Sequence, residues 1–351
     1  MDKSVVPSIS VLMPVYNASA FLREAIESIL DQTFCDFELL IFNDASNDDS
    51  ALLIKSFNDS RIRFFSSEFN QGYVHHLNEG IQLARGKYIA RMDADDISEK
   101  ERLEKQFNFM ESHPEVGICG AQVVTINETG VFQAMGYHYH TDAELRIRLL
   151  SDSCFAHPLV MIRKSILIEN KLYYKAELMP AEDYAMWVEL SLISCLANLP
   201  DFLLRYRVHS NQITKKKREK QQLAVASIRK EVLERFLACE ASDTDVKFHN
   251  SLLEAEYACS RTYVEKAKEW IVFLIKKNEE RGYFFNDYLF QKEMARIWFS
   301  LCTHVYQLGP WIIYTYFTFE IDRSSISKRK LFKFLLKSLL GRGALLIRQK
   351  K

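Results

Sequence analysis

Short apolar segments alternate with amphipathic segments along the first hundred residues of this 351-residue chain. Four of these segments are continuous enough in apolar character to be strands buried on both faces of a sheet. Between them, apolar residues recur at helical spacing. The alternation predicts an α/β fold with a mixed, mostly parallel sheet flanked by helices. The four predicted strands are residues 9–13, 37–42, 62–65 and 88–92.

Three aspartates follow the fourth predicted strand, at Asp93, Asp95 and Asp96. Because side chains alternate along an extended backbone, we expect Asp93 and Asp95 to lie on the same side. Two carboxylates held this close repel each other unless a cation lies between them, and such oxygen ligands suit Mg²⁺ or Mn²⁺. A second interpretation stays open, in which the acids form a solvated turn and the Ser98–Glu101 capping box begins the next helix.

Polar or acidic loops follow three of the predicted strands, at residues 14–17, 43–48 and 93–96. In open parallel sheets, ligands bind where the strands end at their carboxyl side. The sequence has no GxGxxG after the first strand and no P-loop motif. A nucleotide would therefore be held by acids, a metal and side chains instead of a glycine-rich loop.

The chain beyond residue 100 adds further candidate groups. A long strand is predicted over residues 116–126. Glu182 and Asp183 lie in the first turn of a predicted helix, where the helix dipole alone already favours acids. Residues 202–208 are predicted to form an edge strand that ends at His209. This position, with arginines nearby, suits a contact with phosphate or metal.

A charge run at residues 215–220 predicts a boundary between domains at residues 1–214 and 215–351, the second of them helical. The formal net charge is zero, yet residues 323–351 contain ten Lys or Arg and no acid. That asymmetry predicts an anionic partner surface for the C-terminus. Seven cysteines without a CxxC pair fit reduced thiols, and no apolar signal segment is visible, so a cytoplasmic location is expected.

The basic tail predicts an amphipathic helix at a membrane interface. One helical stripe is formed by Lys330, Lys333 and Lys337, and apolar residues face away from much of it at Leu331, Phe334, Leu335 and Leu339. A buried helix pair followed by a solvated tail is the alternative. Residues 297–319 are long enough to span a bilayer, but Gly309–Pro310 divides them and several polar groups disfavour a span. We expect peripheral attachment to the cytoplasmic face of a bacterial inner membrane, and no nucleic-acid partner, because aromatic residues are nearly absent from the tail.

An ordered set of short motifs resembles the GT-A fold glycosyltransferases of family 2 over roughly residues 8–214. Each motif is short, but their order and separation are specific to that family. The resemblance implies a Rossmann-like GT-A domain followed by a helical C-terminal region. The motifs are Pro14-Val15-Tyr16-Asn17, Asn43-Asp44-Ala45-Ser46-Asn47-Asp48, Asn70-x-Gly72, Ala84-Arg85-Gly86, Asp93-Ala94-Asp95-Asp96, His157-Pro158, Glu182-Asp183-Tyr184 with Trp187, and Tyr206-Arg207-Val208-His209.

The resemblance implies transfer of one sugar from a nucleotide-diphospho-sugar, a UDP-sugar in the first place, to an acceptor hydroxyl with inversion. A divalent Mg²⁺ or Mn²⁺ would assist, and the acceptor would be a glycan or a lipid-linked precursor in cell-surface polysaccharide, lipopolysaccharide or capsule assembly. Asp183 matches the general base, Asp95 a metal ligand, and His209 a metal or diphosphate contact. The substrate contacts implied are Pro14, Tyr16 and Asn17 for the nucleoside, Asp44 for the base, Asp93 for ribose and diphosphate, and further Ser46, Arg85, Ala94, His157, Glu182, Trp187 and Arg207.

This sequence departs from the family pattern in two places. Asn43 and Ala45 replace an acid and a glycine that are common in the second loop, which bears on base selectivity. No QxxRW stretch follows Glu182–Asp183, and this favours single transfer over processive synthesis. A sugar-phosphate nucleotidyltransferase is one alternative, although residues 8–17 lack the Gly and Lys that it would need. An inactive sugar-nucleotide-binding protein is the other, although the acids that such a protein could lose are intact.

Overall fold

The computed structural model describes residues 6–210, 218–282, 284–324 and 326–340. The chain divides into two compact units, Met1–Ile228 and Arg229–Lys351. The domain boundary expected between residues 214 and 215 lies outside the described residues, so it stays a prediction.

The first unit is built on one mixed sheet. The strands are β1 (Ile9–Val15), β2 (Phe37–Asn43), β3 (Ile62–Ser66), β4 (Tyr88–Arg91), β5 (Ile97–Ser98), β6 (Val116–Asn127), β7 (Phe132–Gly136), β8 (Met161–Arg163) and β9 (Cys195–Val208). They follow the order β3-β2-β1-β4-β8-β6-β9-β5, and β7 pairs with β6 outside that order. The first four strands of the order are all parallel, whereas β8 runs antiparallel to both of its neighbours. The expected α/β class is confirmed.

Burial explains why the strand sequences are continuous apolar runs. Every residue of β1, β2 and β4 is buried. On one face of the sheet, alternate β1 residues such as Val11 pack with apolar helix residues such as Ile26 and Leu103. On the other face, Leu12 lies against Gly80. The helices of this unit are α1 (Leu22–Leu30), α2 (Ser50–Lys55), α3 (Tyr73–Leu83), α4 (Arg102–Ser112), α5 (Asp142–Arg148), α6 (Lys164–Glu169) and α7 (Glu182–Ile193).

Two local predictions were wrong. The Ser98–Glu101 capping box does not form, because Ser98 lies in β5 and the Leu103 N–H at the start of α4 donates to Gln32 Oε1 at 2.9 Å. Residues 202–208 are not an edge strand but the end of the longer β9, which lies between β6 and β5. Pro200 made that continuation hard to predict. The β6–β9 register shifts around this point, since Gly120 pairs with Asn198 and Gln122 with Phe202.

The helical C-terminal region is confirmed. Its helices are α8 (Arg218–Leu237), across which the division between the units falls, α9 (Asp243–Leu253), α10 (Arg261–Glu280), α11 (Asp287–His304), α12 (Pro310–Thr318) and α13 (Lys328–Leu340). Gly309, with φ of 68°, separates α12 from the residues before it, and Pro310 occupies the first helical position, as sequence preferences favour. Among the described residues, no helix combines the length and the apolar composition that crossing a bilayer requires.

Gly86, between α3 and β4, sets how closely the chain approaches β1. A Cβ atom there would lie 2.6 Å from the Ser10 amide nitrogen and 2.7 Å from the Ile9 carbonyl carbon. Because both are backbone atoms of a central strand, we expect Gly86→Ala to destabilise the protein by about 1–3 kcal/mol. Urea unfolding measures the loss. In the control Gly80→Ala, the added Cβ meets only the end of the Leu12 side chain, and helix propensity partly compensates. Equal midpoints for the two variants would contradict this account.

Candidate active site

The loops that follow β1 and β2 form one polar surface at the carboxyl edge of the sheet. The Asn17 N–H donates to Ser46 Oγ at 3.0 Å, and the Asn47 N–H donates to Asn17 Oδ1 at 2.8 Å. Asn17 has φ of 50°, a left-handed conformation that asparagine tolerates better than most residues. Tyr16 is half exposed beside this junction, whereas Pro14 is buried within β1. Two of the predicted nucleoside contacts, Tyr16 and Asn17, therefore lie together with Ser46, a further predicted substrate contact.

Asp44 is buried behind this surface and has a full set of partners. Its Oδ1 accepts from the Gln71 N–H at 2.7 Å and its Oδ2 from the Gly72 N–H at 2.9 Å. His76 Nε2 lies 2.9 Å from Oδ1. Both carboxylate oxygens are thus engaged in positioning the loop that begins α3. The predicted contact between Asp44 and a nucleotide base stays a prediction, and Asp44 is 2% exposed.

The turn after β4 holds three carboxyl groups close together. One oxygen each from Asp93, Asp95 and Asp96 lies within 4.8 Å of the others. The extended backbone that we expected at Asp93–Asp95 is a turn instead, and the turn is what brings the three acids together. Burial, followed by the charge of Asp93, raises the pKa of Asp95 and raises that of Asp96 well above its usual range. We call these three residues the turn acids.

Arg91, the last residue of β4, is the cation buried next to the turn acids. It is 7% exposed, and its guanidinium forms an ion pair with Asp93. Burial opposes its charge, but Asp93 outweighs burial and raises the pKa of Arg91. The charge of Arg91 also opposes the burial that raises the pKa values of Glu182 and Asp183. Arg91 therefore acts on both groups of acids.

Glu182 and Asp183 begin α7 and form a second group, which we call the helix acids. Glu182 is 3% exposed, and its Oε1 accepts from the Tyr73 hydroxyl at 2.8 Å. Burial, and then the neighbouring Asp183, raise the pKa of Glu182 to about 7. Burial raises the pKa of Asp183 to about 6, although a long hydrogen bond of 3.4 Å from Ser153 Oγ lowers it in part. Two acids that titrate this near neutrality can exchange protons at physiological pH.

Aromatic side chains pack beneath the helix acids. Trp187 is fully buried and makes edge contacts with Phe155 and His157, whose ring centroids lie 5.5 and 5.7 Å away. His157 Nε2 lies 3.3 Å from the Tyr174 hydroxyl, and burial followed by Arg91 lowers the pKa of His157 well below its usual range. His157 and Trp187 therefore position the start of α7, although the sequence predicted substrate contacts for both.

The end of β9 closes the other side of the turn acids. His209 Nε2 lies 2.8 Å from Asp95 Oδ2. Arg207 is 2% exposed and donates from Nε to the Asp95 carbonyl at 2.8 Å, while its own N–H donates to Asp96 Oδ1 at 2.8 Å. Ala94, in the middle of the turn, is 7% exposed. Arg207 is a clamp on the turn backbone, and His209 lies against Asp95; its predicted contact with metal or diphosphate stays a prediction.

Arg85 is the predicted contact that the structure does not bring to this site. It lies before β4, and its N–H donates to Glu38 Oε1 at 2.7 Å, at the amino end of β2. The predicted contacts from the β1, β2 and β4 loops, such as Asn17, Asp44 and Asp93, lie at the carboxyl ends of those strands. Its exposed side chain is thus at the opposite edge of the sheet.

Sequence reasoning missed three residues that shape the site, which are Arg91, Tyr73 and Ser153. Arg91 gave a signal, because it is a charged residue in an otherwise apolar strand that leads into acids. Tyr73 and Ser153 gave none, since each meets the helix acids only through tertiary packing.

The turn acids and His209 are the residues that could hold a divalent cation. Carboxylate oxygens with one imidazole form a donor set that suits Mg²⁺ or Mn²⁺. Asp96 Oδ2 is buried and has no hydrogen-bond partner among the described residues. A cation would satisfy that oxygen and reduce the repulsion that raises the carboxyl pKa values, so the residues fit such an ion.

Comparison with known proteins identifies the family. The model of glycosyl transferase family 2 matches residues 10–170. An uncharacterized glycosyltransferase of Haemophilus influenzae is 32% identical over 261 residues, which are 71% of this chain and 80% of that protein. The O-antigen biosynthesis glycosyltransferase WbnJ of Escherichia coli is 31% identical over 251 residues, covering 68% of this chain and 96% of that protein.

Solved structures share the fold at low sequence identity. TarS 1–349 of S. aureus, crystallised with UDP-GlcNAc, aligns with a TM-score of 0.54 at 17% identity, covering 98% of this chain and 92% of that one. The mannosyltransferase PcManGT of Pyrobaculum calidifontis, in complex with GDP-Man and Mn²⁺, aligns with a TM-score of 0.50 at 13% identity, covering 95% and 86%. These likenesses confirm the expected GT-A fold. The family model and the sequence relatives establish that this chain belongs to glycosyl transferase family 2 and is a glycosyltransferase.

Proposed function

We propose that this enzyme transfers one sugar from a nucleotide-diphospho-sugar to an acceptor hydroxyl, with inversion and with a divalent cation, in cell-surface polysaccharide, lipopolysaccharide or capsule assembly. The observation that supports this most is the presence of two separate acid groups, the turn acids and the helix acids, that both interact with Arg91. Glycosyl transfer develops positive charge at the anomeric carbon and negative charge on the leaving diphosphate. Separate acid groups can serve these two needs. The likeness to WbnJ, an O-antigen biosynthesis enzyme, supports the cell-surface assignment.

The turn acids and His209 would hold the cation, with Asp95 as the principal ligand. His209 Nε2 lies 2.8 Å from Asp95 Oδ2, so its imidazole would be near an ion held by the turn acids. When bound, Mg²⁺ or Mn²⁺ supplies charge that stabilises the leaving diphosphate. Asp93 would lie near the ribose and diphosphate. The Mn²⁺ in the PcManGT complex supports a divalent cofactor.

Asp183 is the proposed general base. It is buried at the start of α7, and its pKa of about 6 leaves it mostly ionised at neutral pH while keeping it a useful proton acceptor. It would accept the proton of the acceptor hydroxyl as that oxygen attacks the anomeric carbon. Glu182, hydrogen-bonded to Tyr73, would adjust the basicity of Asp183 through its charge.

The loops after β1 and β2 would hold the nucleoside. Tyr16 is exposed enough to stack on a base, and the junction of Asn17 with Ser46 offers polar groups beside it. A UDP-sugar is our first choice of donor, supported by the UDP-GlcNAc complex of TarS. The GDP-Man complex of PcManGT shows that a neighbour of the same fold takes another base.

A donor screen that measures nucleoside diphosphate release tests this function. We expect acceptor-dependent release that requires Mg²⁺ or Mn²⁺ and stops with a chelator. Asp95→Asn should lower the metal-dependent rate by about 100-fold or more, because metal stabilisation of the leaving group is worth several kcal/mol. Asp243→Asn, at an exposed aspartate of the second unit, is the control and should retain the parent rate. Nucleoside diphosphate release that does not depend on metal would refute the metal role. So would an active Asp95→Asn variant with a normal circular dichroism spectrum.

Replacing the proposed base separates chemistry from donor binding. Asp183→Asn should lower kcat by about 10²–10⁴-fold, because it removes the proton acceptor of the transfer step. UDP affinity should stay within a few-fold of the parent, since the side chain is not proposed to contact the nucleotide. Calorimetric titration with UDP, next to initial rates, gives both numbers. If affinity falls as far as kcat, Asp183 is a binding residue and the base lies elsewhere.

The pH dependence of transfer should report the helix acids. Since the base must be ionised, kcat/KM should rise with pH through an acid limb near pH 6–7, above the usual range of an Asp. Glu182→Gln should move that limb to lower pH, towards about 6, because it removes the acid with the pKa of about 7 that titrates together with Asp183. Initial rates from pH 5 to 9 measure both profiles, and Glu27→Gln on exposed α1 is the control. An unmoved limb would show that another group titrates.

We further propose that α13 attaches the enzyme to the cytoplasmic face of a bacterial inner membrane, where a lipid-linked acceptor would be met. Phe334 and Ser338 are buried, so they are not the membrane face. Leu339, which the sequence predicted on the apolar side away from the lysine stripe, is 65% exposed. The exposed apolar arc consists of Phe332, Leu336, Leu339 and Leu340, and it adjoins the basic arc of Arg329, Lys330, Lys333 and Lys337. The last four cations of the tail lie outside the described residues.

Co-sedimentation with vesicles tests the two arcs of α13 separately. Phe332→Ser with Leu336→Ser should weaken binding to neutral and anionic vesicles alike, because it removes apolar area from the interface. Lys333→Gln with Lys337→Gln should weaken binding to anionic vesicles only, by about 1 kcal/mol per lysine, and reduce its salt dependence. Leu223→Ser, at another highly exposed leucine, is the control. Failure of the parent to sediment with anionic vesicles would overturn the proposal.

A further inference from the structure

A cavity of about 240 Å³ lies next to the helix acids. One wall is a single face of α7, with residues spaced by three and four, and the other is the segment that leads from α6 towards α7. The cavity is smaller than the roughly 300–1,000 Å³ that encloses drug-sized ligands, so it suits one sugar unit better than a nucleotide-sugar. It is lined by Lys171, Leu172, Tyr173, Lys175, Glu182, Ala185, Met186 and Glu189.

Glu182 connects this cavity to the proposed chemistry. Its Oε1 accepts from Tyr73, but its Oε2 is buried and has no hydrogen-bond partner among the described residues. An unsatisfied buried carboxylate oxygen is costly, and a ligand hydroxyl would satisfy it. Asp183, the proposed base, is the next residue, so a sugar in the cavity would have a hydroxyl close to the point of proton transfer.

The opposite wall presents two cations and an aromatic ring. Lys171 and Lys175 have no carboxylate within ion-pair distance among the residues that the structure describes, and Tyr173 between them is 63% exposed. Lys171 has φ of 53° because it ends α6 in a Schellman turn, in which the Leu172 N–H donates to the Leu167 carbonyl at 2.8 Å, so its backbone position is fixed. An exposed tyrosine offers an apolar face to the C–H groups of a sugar ring.

We propose that this cavity is the acceptor subsite and that it selects a saccharide bearing a negative charge. Lys171 and Lys175 bind the anionic group, Tyr173 packs on the ring, and Glu182 accepts from a hydroxyl. The anionic group is a uronic carboxylate or a phosphate, which offer the same charge to the lysines. The inference rests on the proposed role of the helix acids in transfer, but the binding of acidic sugars can be measured without any turnover.

The test is a saturation-transfer NMR titration with methyl glucuronide, glucose 6-phosphate and neutral methyl glucoside, in the presence of UDP and Mg²⁺ to occupy the donor site. We expect at least one acidic sugar to bind about tenfold more tightly than the glucoside, a difference of about 1.4 kcal/mol. The one that binds better identifies the anionic group. Lys171→Gly combined with Lys175→Ala should abolish the preference and leave glucoside binding unchanged, because glycine accepts the left-handed backbone at position 171.

Two controls decide whether the effect belongs to the cavity. Lys247→Ala removes an exposed lysine of the second unit and should keep the preference. Tyr173→Ala should weaken the binding of acidic and neutral sugars equally. Equal affinity of the parent for all three sugars, or an unchanged preference in the double lysine variant, would overturn the proposal. UDP affinity, measured in parallel, reports on the donor site alone, so a failure of the proposed transfer function is recognised separately.

Discussion

The ion pair between Arg91 and Asp93 is the interaction on which the rest of the site depends. The turn acids and the helix acids are five carboxyl groups that interact with Arg91, the cation buried at the end of the strand that leads into the turn acids. Burial, and then repulsion between neighbouring acids, raises the pKa values of Asp95, Asp96 and Glu182 despite the charge of Arg91, and burial raises that of Asp183. An excess of buried negative charge is costly by itself. Binding of a divalent cation and action as a proton-accepting base both require such a concentration of carboxylates.

The fold supplies the constraints that hold these charges together. Parallel pairing of β1 with β2 and β4 brings three loops to one edge, and the Arg207 clamp from β9 fixes the backbone of the turn acids. On the other side, Trp187 and Tyr174 pack under His157 and set the direction in which α7 begins. The acids are therefore placed by rigid neighbours and do not depend on their own mutual contacts, which are unfavourable.

The parts of this structure that the sequence predicts are those that depend on local pattern. Continuous apolar runs predicted the central strands, because strands buried on both faces leave no place for polar residues. The turn acids were found because they follow a strand, and the helix acids were found because they begin a helix. Long-range contacts were missed: Gln32 bonds to the start of α4, Tyr73 reaches Glu182, and β9 continues through Pro200 because its register shifts. Arg85 belongs to a family motif, yet it lies at the other edge of the sheet, and only the topology reveals that.

The measurement that tests this account most directly is the pH dependence of urea unfolding in Arg91→Met. Loss of the cation leaves the acids unpaired, which typically costs about 3–5 kcal/mol. Acids with raised pKa values in the folded state take up protons at pH 5, so the loss should be large at pH 8 and much smaller at pH 5. Arg163→Met is the control, because the Arg163 guanidinium donates to the Tyr88 hydroxyl and to three backbone carbonyls instead of to the acids. Its loss should be similar at both pH values. Equal losses at pH 5 and pH 8 in Arg91→Met would contradict the central claim.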